Sequence, residues 1–179
     1  MTSLCPLKPA DIADVTQAAR EMLEESEWQA FGLDPAAVEA MARRVIYDQD
    51  KPRLGVIARG RDTAVCGVMV AEIDDLDWVL GRRAINVFTF VTHQRAGSLT
   101  GPRLIRSFLT WAHSHRVDAV EFGVSSGVRL QSSDRLLRAF GFRPVQRTYL
   151  MRSEDTDGQG KHPRSPARKA GISARHDPS

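Results

Sequence analysis

Two cysteines, Cys5 and Cys66, are all that this sequence holds, each among apolar neighbours and neither at a metal-ligand spacing. That shortage argues against a disulfide framework or a zinc ribbon and leaves buried free thiols in a reducing compartment as the expectation. Long apolar runs are missing as well, since nothing approaches the roughly 20 residues that cross a bilayer. The first residues lack the basic and then apolar regions of a signal peptide. A cytoplasmic protein with no membrane partner is expected. A Ser-His-Asp order, a Walker loop and an EF-hand loop are absent too, so hydrolase, nucleotide-triphosphate and calcium readings have no support.

Charge of one sign is also in short supply. Lys and Arg number 25 against 22 Asp and Glu, a net charge of +3. Residues 153–179 hold five of the basic and four of the acidic residues, so the rest, with 20 against 18, is close to neutral. No basic face is forced on the body of the chain, and nucleic acid is not an expected partner. The same terminal stretch has one large aliphatic residue, Ile172, and no aromatic. It cannot bury enough apolar surface to offset the entropy of ordering it. The expected organisation is one domain over residues 1–152 and a disordered, solubilising tail over 153–179.

What is present is hydrophobic periodicity of both kinds. Residues 3–7 suit a short strand, and Pro9 opens a helix in which Ile12, Val15, Ala19, Met22 and Leu23 share a face. An acidic stretch over 24–27 then leads to Trp28 and Phe31, aromatics of the kind that line a substrate opening. Asp34 caps a second helix with Pro35 at its first position, and Val38, Met41, Ala42, Val45 and Ile46 form its buried stripe. Strands over 53–59 and 64–73 follow, joined by a tight turn at Gly60-Arg61-Asp62. Gly67, inside the second, signals a bulge or a close backbone approach. Asp74, Asp75 and Asp77 read as a solvated link. Further on come a strand over 117–125, a short helix over 134–140 capped by Ser132 or Ser133 and closed by Gly141, and a terminal strand or hairpin over 142–152.

The chain is organised around residues 85–105. Ile85 to Val91 reads as a buried strand, β-branched and aromatic. A polar, glycine-containing loop over 92–101 follows, and Pro102 suits the first position of a helix whose face is Leu104, Ile105, Phe108, Leu109 and Ala112. Strand, glycine loop and helix N-terminus in succession make an anion site, because the free N–H groups of a first turn and the helix dipole point at whatever the loop holds.

This order of elements resembles the GNAT superfamily of acyl-CoA-dependent N-acetyltransferases. Their strand, Val-x-Pro-x-x-Arg-Gly-x-Gly-x-Gly loop and helix lie without a gap over residues 91–105. Leu136-Leu137-Arg138-Ala139-Phe140-Gly141-Phe142 is similar to the family's Leu-Tyr-x-x-x-Gly-Phe close, and Tyr149-Leu150-Met151 to its last strand. Glu25-Ser26-Glu27-Trp28 and the pairs Leu104-Ile105 and Trp111-Ala112 resemble the divergent, phage-encoded branch. In this register the family's arginine falls on Ala96 with Arg95 beside it, its middle glycine on Leu99, and its tyrosine acid on Leu137.

The resemblance implies an α/β fold with a mixed central sheet of six to seven strands, flanked by about four helices. It implies acetyl-CoA as co-substrate, an amine as acceptor and no metal, with a homodimer or a phage particle as compatible assemblies. The pantetheine arm would lie beside Phe90 and Val91. The diphosphate would lie on amides of Arg95, Ala96, Gly97, Ser98, Leu99, Thr100 and Gly101, with Arg95 or Arg103 adding charge. Glu121, a charged residue that interrupts an apolar strand beside that cleft, is the first candidate base, against a structural ion pair. His93 sits where strand meets loop, and Ser133 or Ser132 could protonate the leaving thiolate in place of the tyrosine, against a capping role. The competing class is a GNAT-fold interaction protein without catalysis, suggested by Ala96, Leu99 and Leu137.

Overall fold

A computed structural model describes residues 2–76, 80–92, 98–124 and 126–145. Five strands, β1 (Ser3–Pro6), β2 (Arg53–Arg59), β3 (Val65–Asp75), β4 (Arg82–Val91) and β5 (Ala119–Glu121), form one sheet in sequence order. The first four pair antiparallel and β5 joins β4 in parallel. Helices α1 (Ile12–Glu24) and α2 (Pro35–Tyr47) precede β2, α3 (Thr100–Ser114) links β4 to β5, and α4 (Leu130–Ala139) follows. These elements lie within the compact unit Met1–Pro144, and the second unit, Val145–Ser179, falls almost wholly outside the described residues.

Each face of the sheet carries its own core. Val15, Ala18 and Ala19 of α1 and Ala42 of α2 pack on Ile57, Val68, Val70, Phe88 and Phe90. Leu104, Ile105, Phe108 and Ala112 of α3 pack on Ala58, Met69, Ala71, Ile73 and Ala84, with Leu136 and Leu137 of α4 at the margin. Strand side chains alternate between faces, yet Ala84 lies under α3 whereas Phe88 and Phe90 lie under α1. The register explains the switch, since Ala71 pairs Asn86 and Val70 pairs Phe88, leaving Val87 as an extra residue in a bulge. A second shift, between Ala58 and Arg59, leaves Cys66 as the extra residue beside Gly67. A Cβ at Gly67 would stand 2.9 Å from the carbonyl oxygen of Phe90 and 3.1 Å from Thr100 Cγ2, so both expectations for that glycine hold.

Local chemistry sets the other boundaries. Asp34 Oδ1 accepts from the N–H groups of Ala36 and Ala37 at 3.0 and 3.1 Å, the expected cap of α2. Pro9 opens a 3-10 turn, Pro9–Asp11, ahead of α1. Asp11 and Asp14 both hold Arg59 at 2.5 Å, and these bonds, Asp14 first, keep its guanidinium above the ordinary arginine range. Helix α4 closes as expected, with Gly141 at φ +88 and Phe142 N–H donating to Leu137 O at 3.1 Å.

Several expectations are corrected. Asp74 and Asp75 belong to β3, where Asp74 pairs Lys51 at 3.0 Å, and they are not part of a link. Asp77 lies outside the described residues. Helix α3 starts at Thr100, with Pro102 third, because Ser98 Oγ accepts the Thr100 N–H at 3.2 Å and begins the turn early. Helix α4 starts at Leu130, four residues ahead of expectation, where Arg129 at φ +50 sets the entry. Strand β5 covers only residues 119–121 of the expected 117–125. Five strands stand among the described residues; Phe142 to Val145 are not strand, and the rest of the expected terminal strand lies outside them.

Candidate active site where β4 and β5 part

Strands β4 and β5 are fastened at one end and open at the other. At the closed end Asp118 N–H donates to Arg82 O at 2.8 Å, and Arg82 N–H donates to Asp118 Oδ2 at 2.8 Å. The ladder then runs through Arg83↔Ala119, Ala84↔Val120 and Ile85↔Glu121 and stops. Glu121, the candidate base, accepts from Arg83 Nη1 at 3.0 Å across this last stretch, half-buried. One residue on, Asn86 replaces the backbone with its side chain. Its Oδ1 accepts from Gly123 N–H at 2.6 Å and its Nδ2 donates to Gly123 O at 3.3 Å. Beyond the Val87 bulge, among the described residues, β4 has β3 on one edge and no strand on the other.

That unpaired edge has a definite polarity. In an antiparallel ladder both polar groups of a residue point to the same side, and successive residues alternate. Thr92 N–H donates to Cys66 O at 3.2 Å, so Thr92 faces β3. Phe90 therefore faces β3 as well, while Val91 and Thr89 turn their N–H and C=O groups into the opening. Phe90 turns its polar groups to β3 and buries its ring under α1, whereas Val91 and Thr89, the latter not a candidate by residue type or spacing, face the opening.

The first turn of α3 adjoins the same edge. Leu99 is the N-cap residue, and Arg103 N–H makes the first helical bond, to Leu99 O at 3.0 Å. Ser98 Oγ takes the Thr100 N–H and bonds Thr100 Oγ1 at 3.0 Å. Among the described residues Gly101 N–H has no acceptor, and Pro102 has no donor to offer. A Cβ on Gly101 would lie 3.9 Å from Val91 Cγ2 and 3.5 Å from Leu136 Cδ2, so this turn packs directly on the end of β4. Leu99, at 75% exposure, points outward and does not fill the space. A positive helix end with one free N–H group, that of Gly101, thus stands beside the unpaired strand edge.

The other described candidates, Arg103, Ser132, Ser133 and Leu137, fall elsewhere. Arg103 donates to the carbonyl of Thr2 and lines a groove of about 450 Å³ with Leu4, Arg106, Thr110 and Trp111, which commits it to the β1 side. His93, Arg95, Ala96 and Gly97 lie outside the described residues. Ser133 sits inside α4, its N–H donating to Arg129 O at 3.0 Å, and Ser132 Oγ donates to the same carbonyl at 3.0 Å, so neither caps. Leu137 packs against the α3-side core. The connector carrying Trp28 and Phe31 is fixed to the segment after β5: Glu27 N–H donates to Ser126 O at 3.1 Å, and Arg129 pairs Glu25 at 3.3 Å. Trp28 and Phe31 stand 5.7 Å apart, with Phe31 exposed. Among the described residues no cluster of three His, Cys, Asp or Glu could hold a metal. None of their helices is long and apolar enough to cross a membrane.

By sequence the chain matches no family model and no curated protein. By structure it is similar to the aminoglycoside 6′-N-acetyltransferase AAC(6′)-Ih from Acinetobacter baumannii, 15% identical over 86% of this chain and 98% of that one, with a TM-score of 0.61. A predicted acetyltransferase from Clostridium acetobutylicum, solved with acetyl-CoA, is 10% identical over 85% and 96%, TM-score 0.65. A transcriptional regulator from Bacillus halodurans C-125 is 11% identical over 85% and 99%, TM-score 0.67. The fold is therefore GNAT-like, an α/β arrangement shared with N-acetyltransferases.

Proposed function

We propose that the chain is an acyl-CoA-dependent N-acyltransferase that moves an acetyl group from acetyl-CoA to a primary amine in a ternary complex. One observation carries this reading: the unpaired edge of β4 at Thr89 and Val91 lies against the open first turn of α3. A pantetheine arm is a chain of amides that can complete such an edge, and a diphosphate suits the helix end. In this reading the amine loses a proton, its nitrogen attacks the thioester carbon, a C–N bond forms and the C–S bond breaks. The developing oxyanion is met by a β4 amide, Thr89 or Val91. Glu121 or His93 takes the amine proton directly or through water, and the thiolate takes a proton from Ser133 or solvent. Within the 92–101 loop, Arg95, Ala96, Gly97 and Ser98 complete the diphosphate cradle.

The neighbours that carry CoA ligands support the cofactor, and the aminoglycoside enzymes support an amine acceptor, with specificity set by Trp28, Phe31 and the acidic connector. The phage-encoded branch, the cytoplasmic location, the tail over 153–179 and a domain ending at 152 belong to the same proposal. A non-catalytic GNAT-fold binding protein is the second reading. It is favoured by Leu137, which packs against the core where the tyrosine acid is expected, and by Glu121 already paired to Arg83. Thermal stabilisation by acetyl-CoA and thiol release with a panel of amines separate the two. Stabilisation with turnover supports the transferase, and neither binding nor turnover removes it and leaves the second reading.

A further inference from the structure

We infer that Asn86 is a positioning residue that fixes the vertex of the β4–β5 opening and thereby the depth to which an acyl-pantetheine arm can enter. A side-chain amide carries one donor face and one acceptor, as a peptide group does. Asn86 uses both on a single residue, Gly123, at 2.6 and 3.3 Å. The contact falls one residue past the last ladder pair, Ile85↔Glu121, and one residue before the Val87 bulge. It therefore stands at the point where the β4 backbone turns away. The polar groups of Gly123 that could have continued the parallel ladder are consumed by a side chain instead. Strand β5 can then neither zip further along β4, which would cover Thr89 and Val91, nor drift away from it. The open edge begins where Asn86 ends it.

This inference rests on the transferase reading, and its test keeps the two apart. Acetyl-CoA and adenosine 3′,5′-bisphosphate are titrated by calorimetry into wild type, Asn86→Ala and Asn86→Asp. The bisphosphate lacks the pantetheine arm and keeps the nucleotide with its 5′-phosphate, so it reports binding that does not depend on the β4–β5 opening. Asn86→Asp has the same shape and keeps an acceptor for Gly123 N–H, but sets an oxygen against Gly123 O. Loss of both bonds in Asn86→Ala is expected to weaken acetyl-CoA by about tenfold, and loss of one bond with two oxygens opposed in Asn86→Asp to a similar degree, with the bisphosphate unchanged. In the free proteins, Gly123 N–H exchange is expected to be slow in wild type and fast in Asn86→Ala. Acetyl-CoA binding unchanged in Asn86→Ala, or both ligands lost together, overturns the positioning role while the transferase reading stands. Wild type that binds no acetyl-CoA overturns that reading, and this inference with it.

Discussion

The two edges of β4 are made from the same ten residues and meet opposite fates. Toward β3 the strand is paired along its whole length, from Asp75↔Arg82 to Gly67↔Val91, with one bulge absorbed on the way. Toward β5 it is paired only through Arg83, Ala84 and Ile85. Complete pairing leaves side chains as the only variable, and that half of the molecule is a packing problem. Incomplete pairing leaves backbone donors and acceptors, which a buried chain does not leave unsatisfied without a reason. The proposed site lies on the edge the strand does not use, so substitutions on the two edges should separate stability from binding.

The largest effect is expected on the packed side. Phe108→Ala removes a fully buried ring beneath the sheet and should lower unfolding stability by about 4 kcal/mol in urea titration. A loss under 1 kcal/mol would mean that this core is not what holds α3. Next, on the open side, Glu121→Gln should lower turnover about a hundredfold with little change in acetyl-CoA affinity if Glu121 is the base. Unchanged turnover would leave Glu121 as the partner of Arg83 and nothing more.

Smaller effects sharpen the boundary. Gly67→Ala presses a methyl group against the Phe90 carbonyl from the β3 side, and about 2 kcal/mol of stability should be lost. Since backbone atoms cannot swing aside, a neutral result would show that β3 and β4 are not closely apposed at this point. Leu99→Asp should act in the opposite sense. A negative charge at an exposed N-cap favours the helix, so the melting temperature holds or rises, while acetyl-CoA binding falls about tenfold through repulsion of phosphate. Equal affinity for acetyl-CoA would move the diphosphate away from this turn.

Much of the packed side could be read from residue order. The Asp34-Pro35 start of α2, the hairpin turn at Gly60-Arg61-Asp62 and the Gly141 close of α4 each depend on neighbours a few positions away, and local chemistry of that kind is visible in a sequence. The succession of β4 and α3 around Pro102 was legible for the same reason, as these residues are contiguous. What stayed hidden depends on registration. The bulge at Val87 changes which residues share a face, so Ile85 to Val91 reads as one apolar run and the unpaired polar edge at Thr89 goes unseen. The early end of β5 follows from a side-chain contact thirty-seven positions apart, Asn86 to Gly123, which no periodicity announces. Helix α4 begins early because Arg129 adopts φ +50, a conformation that non-glycine residues seldom signal.

Residue-resolved amide hydrogen exchange, without and with saturating acetyl-CoA, tests the open edge most directly. Thr89, Val91 and Gly101 should exchange fast in the free protein and become protected with ligand, while Phe90, bonded to β3, stays protected in both states. Thr89 and Val91 already protected without ligand, or still exchanging fast beneath saturating acetyl-CoA, would contradict the account.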